Sequence, residues 1–184
     1  MARVSAPANP RTTIIILHGA WHNPTHYYDL AAVLRALGHK VLIPRLLFMS
    51  GARPANSGLY TDSDHIRSYA ESLADAGHCL VVLMHTYSGQ PLAANFADDG
   101  TVEYRDVGER MVGPGLSKED LESYIARLKP WNGQALYQEI REVTRMDIPV
   151  SYILSLQGMM LPIAYQNVMV AGIGAAGGKL RLLG

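Results

Sequence analysis

The stretch that decides the fold runs from residue 79 to residue 90 and reads Cys79-Leu-Val-Val-Leu-Met-His-Thr-Tyr-Ser-Gly-Gln90. Its first half, Cys79–Met84, is an unbroken apolar run of strand length, which is typical of a strand buried on both faces of a parallel sheet. Polar residues and a glycine follow, and Pro91–Phe96 is predicted to form a helix. The hydroxyl of Thr86 stands at the turn between strand and helix, which is the arrangement of a nucleophile elbow.

The composition indicates a soluble globular protein. Of 184 residues, 48% are hydrophobic and 17% are charged, which is far from the composition of disordered chains. Sixteen basic residues balance sixteen acidic ones, so no overall positive field would attract nucleic acid or an anionic membrane. The single cysteine, Cys79, excludes an intramolecular disulfide and is expected in the core. We therefore expect one domain over residues 1–184 that takes a small-molecule substrate, with neither nucleic acid nor membrane as a partner.

Targeting and membrane signals are weak in this sequence. Residues 1–12 are rich in Ala and Pro and lack the apolar core of a secretory signal. Residues 159–176 are mostly apolar, but Gln166 and Asn167 interrupt them and make a poor membrane span. These features predict a cytoplasmic location and leave a homodimer open.

Strand and helix patterns alternate from residue 12 to residue 97. The predicted elements are, in order, a β-branched strand over Thr12–Leu17, a helix capped by Thr25 and closed by Gly38, a strand over Lys40–Pro44, and a helix capped by Asp62 that ends at Gly77. Together with the elbow strand and the helix after it, this alternation predicts an α/β fold with a mainly parallel sheet and flanking helices.

The second half of the chain predicts a small helical cap followed by a return to the sheet. Ser117 opens a capping box with Asp120 and begins one helix, and a second predicted helix carries Leu136, Ile140 and Val143. Residues 148–156 then return to strand, residues 163–171 to helix and residues 179–183 to strand. The cap is thus expected at about residues 101–145, between core segments at 12–97 and 146–184.

Two short motifs occur in an order that suits one particular fold. The first is Ile14-Ile-Ile-Leu-His-Gly-Ala-Trp-His22, at the end of the first strand, and the second is Met84-His-Thr-Tyr-Ser-Gly-Gln90. They resemble the first oxyanion-loop motif and the elbow motif, usually x-His-Ser-Tyr-Gly-Gly, of the α/β-hydrolase superfamily. Within it, the sequence most resembles the fungal and bacterial branch of small esterases, which is related to methylesterases and hydroxynitrile lyases. The resemblance covers residues 12–97 well and residues 101–184 more weakly.

The resemblance implies roles for individual residues. Thr86 would be the nucleophile, and the backbone N–H groups of Ala20 and Tyr87 would form the oxyanion hole. The candidate pocket residues around them are His18, Trp21, His22, His85 and Ser88. The implied activity is hydrolysis of an ester or lactone bond in a small apolar molecule, without a cofactor, and no spacing of residues predicts a metal site.

The chain also departs from the family pattern. Thr86 replaces a serine, although a β-branched side chain is disfavoured at a strained turn, and Ser88 replaces a glycine of the turn. The loop over residues 157–161, where the family's acid is expected, holds no carboxylate, and no histidine follows His85 to serve as the family's base. A strand and a helix expected after the elbow helix are missing as well. We therefore expect a degenerate triad and an incomplete form of the fold.

Three functions stay open at this stage. Thr86 would hydrolyse an ester or lactone, with His18, His22 or a partner subunit as the base. Alternatively, the pocket and oxyanion hole would serve a non-hydrolytic cyclase, lyase or isomerase step in secondary metabolism. The third alternative is a catalytically inactive, shortened family member. Because losing a triad member costs serine hydrolases roughly 10⁴- to 10⁶-fold in rate, efficient hydrolysis by the ordinary mechanism is not expected.

Overall fold

A three-stranded parallel sheet forms the first half of the protein. The computed structural model describes residues 12–52, 56–85, 94–104, 111–112, 115–139, 148–158 and 160–183. Its first sheet contains β1 (Thr13–Leu17), β2 (Lys40–Leu42) and β3 (Leu80–Met84), in the order β2-β1-β3. Central β1 is β-branched and largely buried, as suits a strand that is paired on both sides. The predicted parallel sheet is confirmed.

Two helices, α1 (Tyr28–Ala36) and α2 (Leu59–Asp75), provide the crossovers between these strands. A 3₁₀ helix over Pro24–Tyr27 precedes α1, and its N-cap is Asn23, whose side chain accepts a hydrogen bond from the Thr25 N–H at 3.0 Å. The prediction of Thr25 as the cap was therefore wrong by two residues. Gly38 ends this helical segment with a φ of 91°, a conformation that glycine adopts without strain.

Asp62 does not cap α2, contrary to the prediction. The N-cap is Gly58, whose N–H donates to the Thr61 hydroxyl at 2.8 Å. Asp62 lies in the first turn, is 4% exposed, and accepts hydrogen bonds from the backbone N–H groups of Leu47 at 2.5 Å and Phe48 at 3.3 Å. The carboxylate therefore accepts hydrogen bonds from the first N–H groups of a second 3₁₀ helix, over Leu47–Met49. It ties this 3₁₀ helix to α2.

The elbow strand β3 lies at an edge of its sheet, and this differs from the prediction of a strand buried on both faces. It pairs with β1 alone among the described strands, and Val81 and Met84 are 50% and 69% exposed. Cys79, which was expected in the core, is exposed. An unbroken apolar run predicts a strand, but it does not show which strands lie beside it. The largely buried, central strand of this sheet is β1.

Residues 94–96 form a strand, so the predicted helix over Pro91–Phe96 was wrong at its C-terminal end. This strand, β4 (Ala94–Phe96), runs antiparallel to β5 (Thr101–Tyr104), which also pairs with β6 (Trp131–Asn132). The connection is a turn in which Asp99 accepts hydrogen bonds from the N–H and hydroxyl of Thr101 at 3.0 and 2.6 Å, and Gly100 has a φ of 79°. Local turn chemistry here outweighs weak helical propensity.

The predicted cap contains one α-helix among its described residues. α3 (Lys118–Ala126) begins at Ser117, whose side chain accepts a hydrogen bond from the Asp120 N–H at 3.1 Å, as predicted. Leu136, placed in a second helix by the sequence, lies in a 3₁₀ helix over Gly133–Tyr137. Ile140 and Val143 lie outside the described residues, and the division into core and cap stays a prediction.

The last described elements form a separate parallel unit. β7 (Val150–Ile153), α4 (Ile163–Ala175) and β8 (Leu180–Leu183) confirm the predicted strand, helix and strand, and β7 and β8 make a two-stranded sheet of their own. The buried hydrophobic core comes from earlier residues. One cluster contains Ala20, Trp21, Leu46, Phe48, Met49, Val102, Trp131 and Ala135, and the other contains Ile14, Ile16, Ala31 and Val41. None of the helices in the described part of the chain has the length and apolar character to cross a bilayer.

Candidate active site

The chain leaves β1 through a tight turn over Gly19–His22, which is named the oxyanion turn after the role predicted for Ala20. The His22 N–H donates to the carbonyl of Gly19 at 3.2 Å, and Trp21 has a φ of 62°, which L-residues other than glycine rarely adopt. The Trp21 side chain fixes this conformation, because its Nε1–H donates to the Val102 carbonyl at 3.0 Å and its ring packs edge-to-face on Trp131 at 5.6 Å. Backbone strain held by packing in this way is concentrated at functional sites.

Ala20 is the second residue of this turn and was predicted to supply an oxyanion-hole donor. It is buried, and its carbonyl accepts a hydrogen bond from His22 Nδ1 at 2.7 Å. Its own N–H finds no acceptor within the described part of the chain. Because buried backbone N–H groups are almost always paired, this donor is available to a ligand.

His18 is a structural residue with both ring nitrogens in use. It is 1% exposed, its Nδ1 donates to the Gly19 carbonyl at 3.1 Å, and its Nε2 accepts the Leu46 N–H at 3.1 Å. Burial lowers the pKa of His18, which keeps the ring neutral. The imidazole therefore holds the oxyanion turn against the loop that follows β2, and neither nitrogen is left to act as a base.

His22 is likewise engaged at both nitrogens. It is 6% exposed; Nδ1 donates to Ala20, and Nε2 accepts a hydrogen bond from the Tyr124 hydroxyl of α3. Burial, with a smaller contribution from the neighbouring histidines, lowers the pKa of His22 to about 3. The two predicted candidates for the base are thus both occupied by hydrogen bonds that position the turn.

His85 ends β3 and lies beside the turn. Its backbone N–H donates to the Leu17 carbonyl at 3.0 Å, and its ring is 5.0 Å from the ring of His22. The Tyr27 hydroxyl lies 2.6 Å from His85 Nδ1 and also accepts the Gly19 N–H at 3.1 Å. Burial raises the pKa of Tyr27 well above its usual range and lowers the pKa of His85. Tyr27 therefore links the two segments that the motifs identified.

Residues after Tyr124 hold the oxyanion turn from its other side. The Lys129 N–H donates to the Trp21 carbonyl at 2.9 Å, and the Asn23 side chain donates to the Arg127 carbonyl at 2.7 Å. His26 Nε2 lies 3.4 Å from the Tyr124 carbonyl, and its Nδ1 lies 3.3 Å from both the N and the O of Asn23. The C-terminal end of α3 is therefore part of the site's framework.

The structure brings together five of the residues proposed from the motifs: His18, Ala20, Trp21, His22 and His85. Thr86, Tyr87 and Ser88 lie outside the described residues. The sequence reasoning did not include Tyr27, His26 or Tyr124, since it assigned the two tyrosines to apolar helix faces. Among the residues that the structure describes, no group of three His, Cys, Asp or Glu side chains is arranged to hold a metal ion.

Comparison with known proteins decides the family. A family model described as "Alpha/beta hydrolase family" matches residues 14–175. The chain belongs to the alpha/beta hydrolase family. This hydrolase-family chain is similar to polyneuridine aldehyde esterase in its crystal structure, with a TM-score of 0.59 and 17% identity over 94% of this chain and 90% of the other. Identity this low shows the fold alone.

A curated relative of this hydrolase-family chain is the carbendazim hydrolyzing esterase of Nocardioides sp. (strain SG-4G). The two are 34% identical over 80 residues, which are 41% of this chain and 31% of the relative. The chain thus matches less than a third of that protein's length.

Proposed function

We propose that the chain hydrolyses the ester or lactone bond of a small apolar molecule, with Thr86 as nucleophile and the N–H groups of Ala20 and Tyr87 as the oxyanion hole. The observation that carries this proposal is the buried N–H of Ala20, without an acceptor in the described chain, in a turn that Trp21 holds in a strained conformation. A preorganised donor of this kind stabilises the negative oxygen of a tetrahedral intermediate.

Family membership and the names of two relatives support an ester substrate. Polyneuridine aldehyde esterase shares the fold, and the relative from Nocardioides is described as an esterase that hydrolyses carbendazim. The surroundings favour an uncharged substrate, because burial lowers the pKa of His18 and His22 and keeps both rings neutral at neutral pH.

The proposed reaction has two steps. The Thr86 oxygen bonds to the carbonyl carbon and the bond to the alcohol oxygen breaks, after which water cleaves the acyl group from Thr86. Because neither His18 nor His22 has an unoccupied nitrogen, the proton of Thr86 passes through water to the departing alcohol oxygen, and the attacking water later returns a proton to Thr86. Turnover should therefore be slow, because Thr86 attacks without the base that activates the nucleophile of an intact triad.

Hydrolysis of p-nitrophenyl butyrate by three variants tests this proposal. Thr86→Ala should reduce turnover to the background rate, and Thr86→Ser should raise it because the methyl group that hinders attack is removed. Ala20→Pro removes the proposed N–H donor at a turn position that suits proline, and should cost roughly 10²- to 10³-fold. A Thr86→Ala variant with the turnover of the parent chain would refute the nucleophile assignment.

The occupied histidines also favour a second candidate, a non-hydrolytic lyase, cyclase or isomerase reaction. Such a reaction uses the oxyanion hole to stabilise an enolate-like oxygen and needs no nucleophile at Thr86. The same variants separate the two candidates. A reaction that survives Thr86→Ala and fails in Ala20→Pro uses the oxyanion hole without Thr86 as nucleophile, as the second candidate requires, whereas loss in both variants supports the hydrolase.

A further inference from the structure

We propose that His85 is a hydrogen-bond donor to the substrate's carbonyl oxygen, held by Tyr27 as the tautomer that carries its proton on Nε2. The substrate in this inference rests on the proposed ester hydrolysis. The protonation state of His85 does not, and it can be measured without any substrate. His85 would then assist the oxyanion hole rather than serve as the missing base.

The hydrogen bonds of Tyr27 determine the tautomer. Its oxygen accepts the Gly19 N–H at 3.1 Å, and a backbone N–H cannot accept in return. The hydroxyl hydrogen must therefore go elsewhere, and the acceptor within reach is His85 Nδ1, at 2.6 Å. A nitrogen that accepts carries a lone pair, so the proton of the neutral ring is on Nε2.

His85 Nε2 is the ring nitrogen of this histidine cluster that has no partner among the described residues. The cluster contains His18, His22, His26 and His85, and each of the other three rings has both nitrogens within hydrogen-bonding reach of a neighbour. An N–H that no protein group accepts is available to water or to a ligand.

The position of His85 connects it with the oxyanion hole. Its ring is 5.0 Å from that of His22, which binds the carbonyl of Ala20, and its partner Tyr27 binds the N–H of Gly19. It also directly precedes Thr86 in the chain. Through Tyr27, His85 is joined to the residue that precedes Ala20, so the proposal places its imidazole beside a carbonyl held at the Ala20 N–H. A neutral imidazole is an effective donor to a developing oxyanion.

Proton-detected NMR of the ¹⁵N-histidine-labelled chain tests the tautomer directly. The two-bond nitrogen–proton correlations should show His85 protonated on Nε2 and unprotonated on Nδ1 at neutral pH. In Tyr27→Phe, which lacks the hydroxyl, this preference should weaken. A His85 ring protonated on Nδ1 in the parent chain would overturn the inference, whatever its esterase activity.

Two amide substitutions then test the contact with substrate. Asn places its amide near the Nδ1 position and cannot reach the Nε2 position, whereas Gln places an N–H donor near Nε2. His85→Asn should lower kcat for p-nitrophenyl butyrate roughly 10²-fold, and His85→Gln should retain kcat within about tenfold of the parent. Exposed His65 provides the matched control, His65→Asn, with no expected effect.

Equal kcat values for His85→Asn and the parent chain would contradict a substrate contact. Circular dichroism of each variant checks that the fold is retained. A chain that hydrolyses no ester at all would refute the proposed function, and the NMR result would still decide the state of His85.

Discussion

At the scale of single residues, the histidines of this site are neutral hydrogen-bonding groups. His18 and His22 each donate from Nδ1 to a carbonyl of the oxyanion turn and accept at Nε2, so they fix its shape. The Tyr124 hydroxyl hydrogen-bonds to Nε2 of His22, and the Tyr27 hydroxyl hydrogen-bonds to Nδ1 of His85. The turn is positioned by imidazoles that the sequence motif would suggest as bases.

Buried neutral histidines make the folded state sensitive to acid. The pKa of His22 falls from 6.5 to about 3 on folding, so the unfolded chain binds more protons between these values. Stability should be complete above pH 6.5 and should fall as the pH drops toward 3. His26 acts in the same direction, because burial lowers its pKa as well.

Urea denaturation between about pH 7 and about pH 4 measures this loss. His22→Gln should give a shallower decline than the parent chain, since one buried titrating group is removed. His65→Gln, at an exposed position, is the control and should follow the parent curve. If the free energy of unfolding falls equally with pH in the parent chain and in His22→Gln, His22 is not the cause of the acid sensitivity.

At the scale of elements, the short segments that hold the site depend on side chains from other elements. The loop after β2 is fixed by His18, which accepts the Leu46 N–H, and by Asp62 of α2, which accepts the next two N–H groups. Phe48 and Met49 of this loop are buried in the core cluster with Trp21. The loop therefore supports the oxyanion turn through packing as well as hydrogen bonds.

Asp62→Ala should destabilise the chain by about 2–5 kcal/mol, because two N–H groups near the core lose their acceptor. The free energy of unfolding by urea gives the value. Asp64→Ala, at an exposed position of the same helix, is a matched control and should change stability by less than about 0.5 kcal/mol. Comparable losses in the two variants would argue against the role of Asp62.

Local sequence patterns predicted the elements well where the signal lies within one segment. The β-branched run of β1, the capping serine of α3 and the strand–helix–strand order from β7 to β8 were all correct. β4 was not, because the residues of 91–96 have helical character and the pairing partner, β5, lies beyond the Asp-Gly turn. Likewise, Tyr27 and Tyr124 reach the site from separate helical segments, and no spacing in the sequence predicts that both lie there.

At the scale of the whole molecule, the parallel strands are divided between two sheets, with no described strand joining β3 to β7. Large apolar side chains are exposed in both sheets: Val81 and Met84 of β3, and Ile153 of β7. The unit from β7 to β8 contributes no fully buried hydrophobic side chain among its described residues. Its stability should therefore be lower than that of the sheet around β1.

Hydrogen exchange by mass spectrometry tests this division. Peptides from β7 and β8 should exchange faster than peptides from β1, although both lie in parallel sheets, because less apolar surface is buried around them. Added denaturant should open the β7–β8 unit at lower concentrations than the β1 sheet. Equal protection in both sheets would mean that the chain unfolds as one cooperative unit.

Covalent labelling is the direct test of Thr86 as a nucleophile beside a working oxyanion hole. The chain is incubated with a fluorophosphonate probe, and the modified peptide is identified by mass spectrometry. We expect a slow adduct on Thr86 that is lost in Thr86→Ala and reduced in Ala20→Pro. An unlabelled parent chain, or a label that stays on Ser88 in Thr86→Ala, would contradict it.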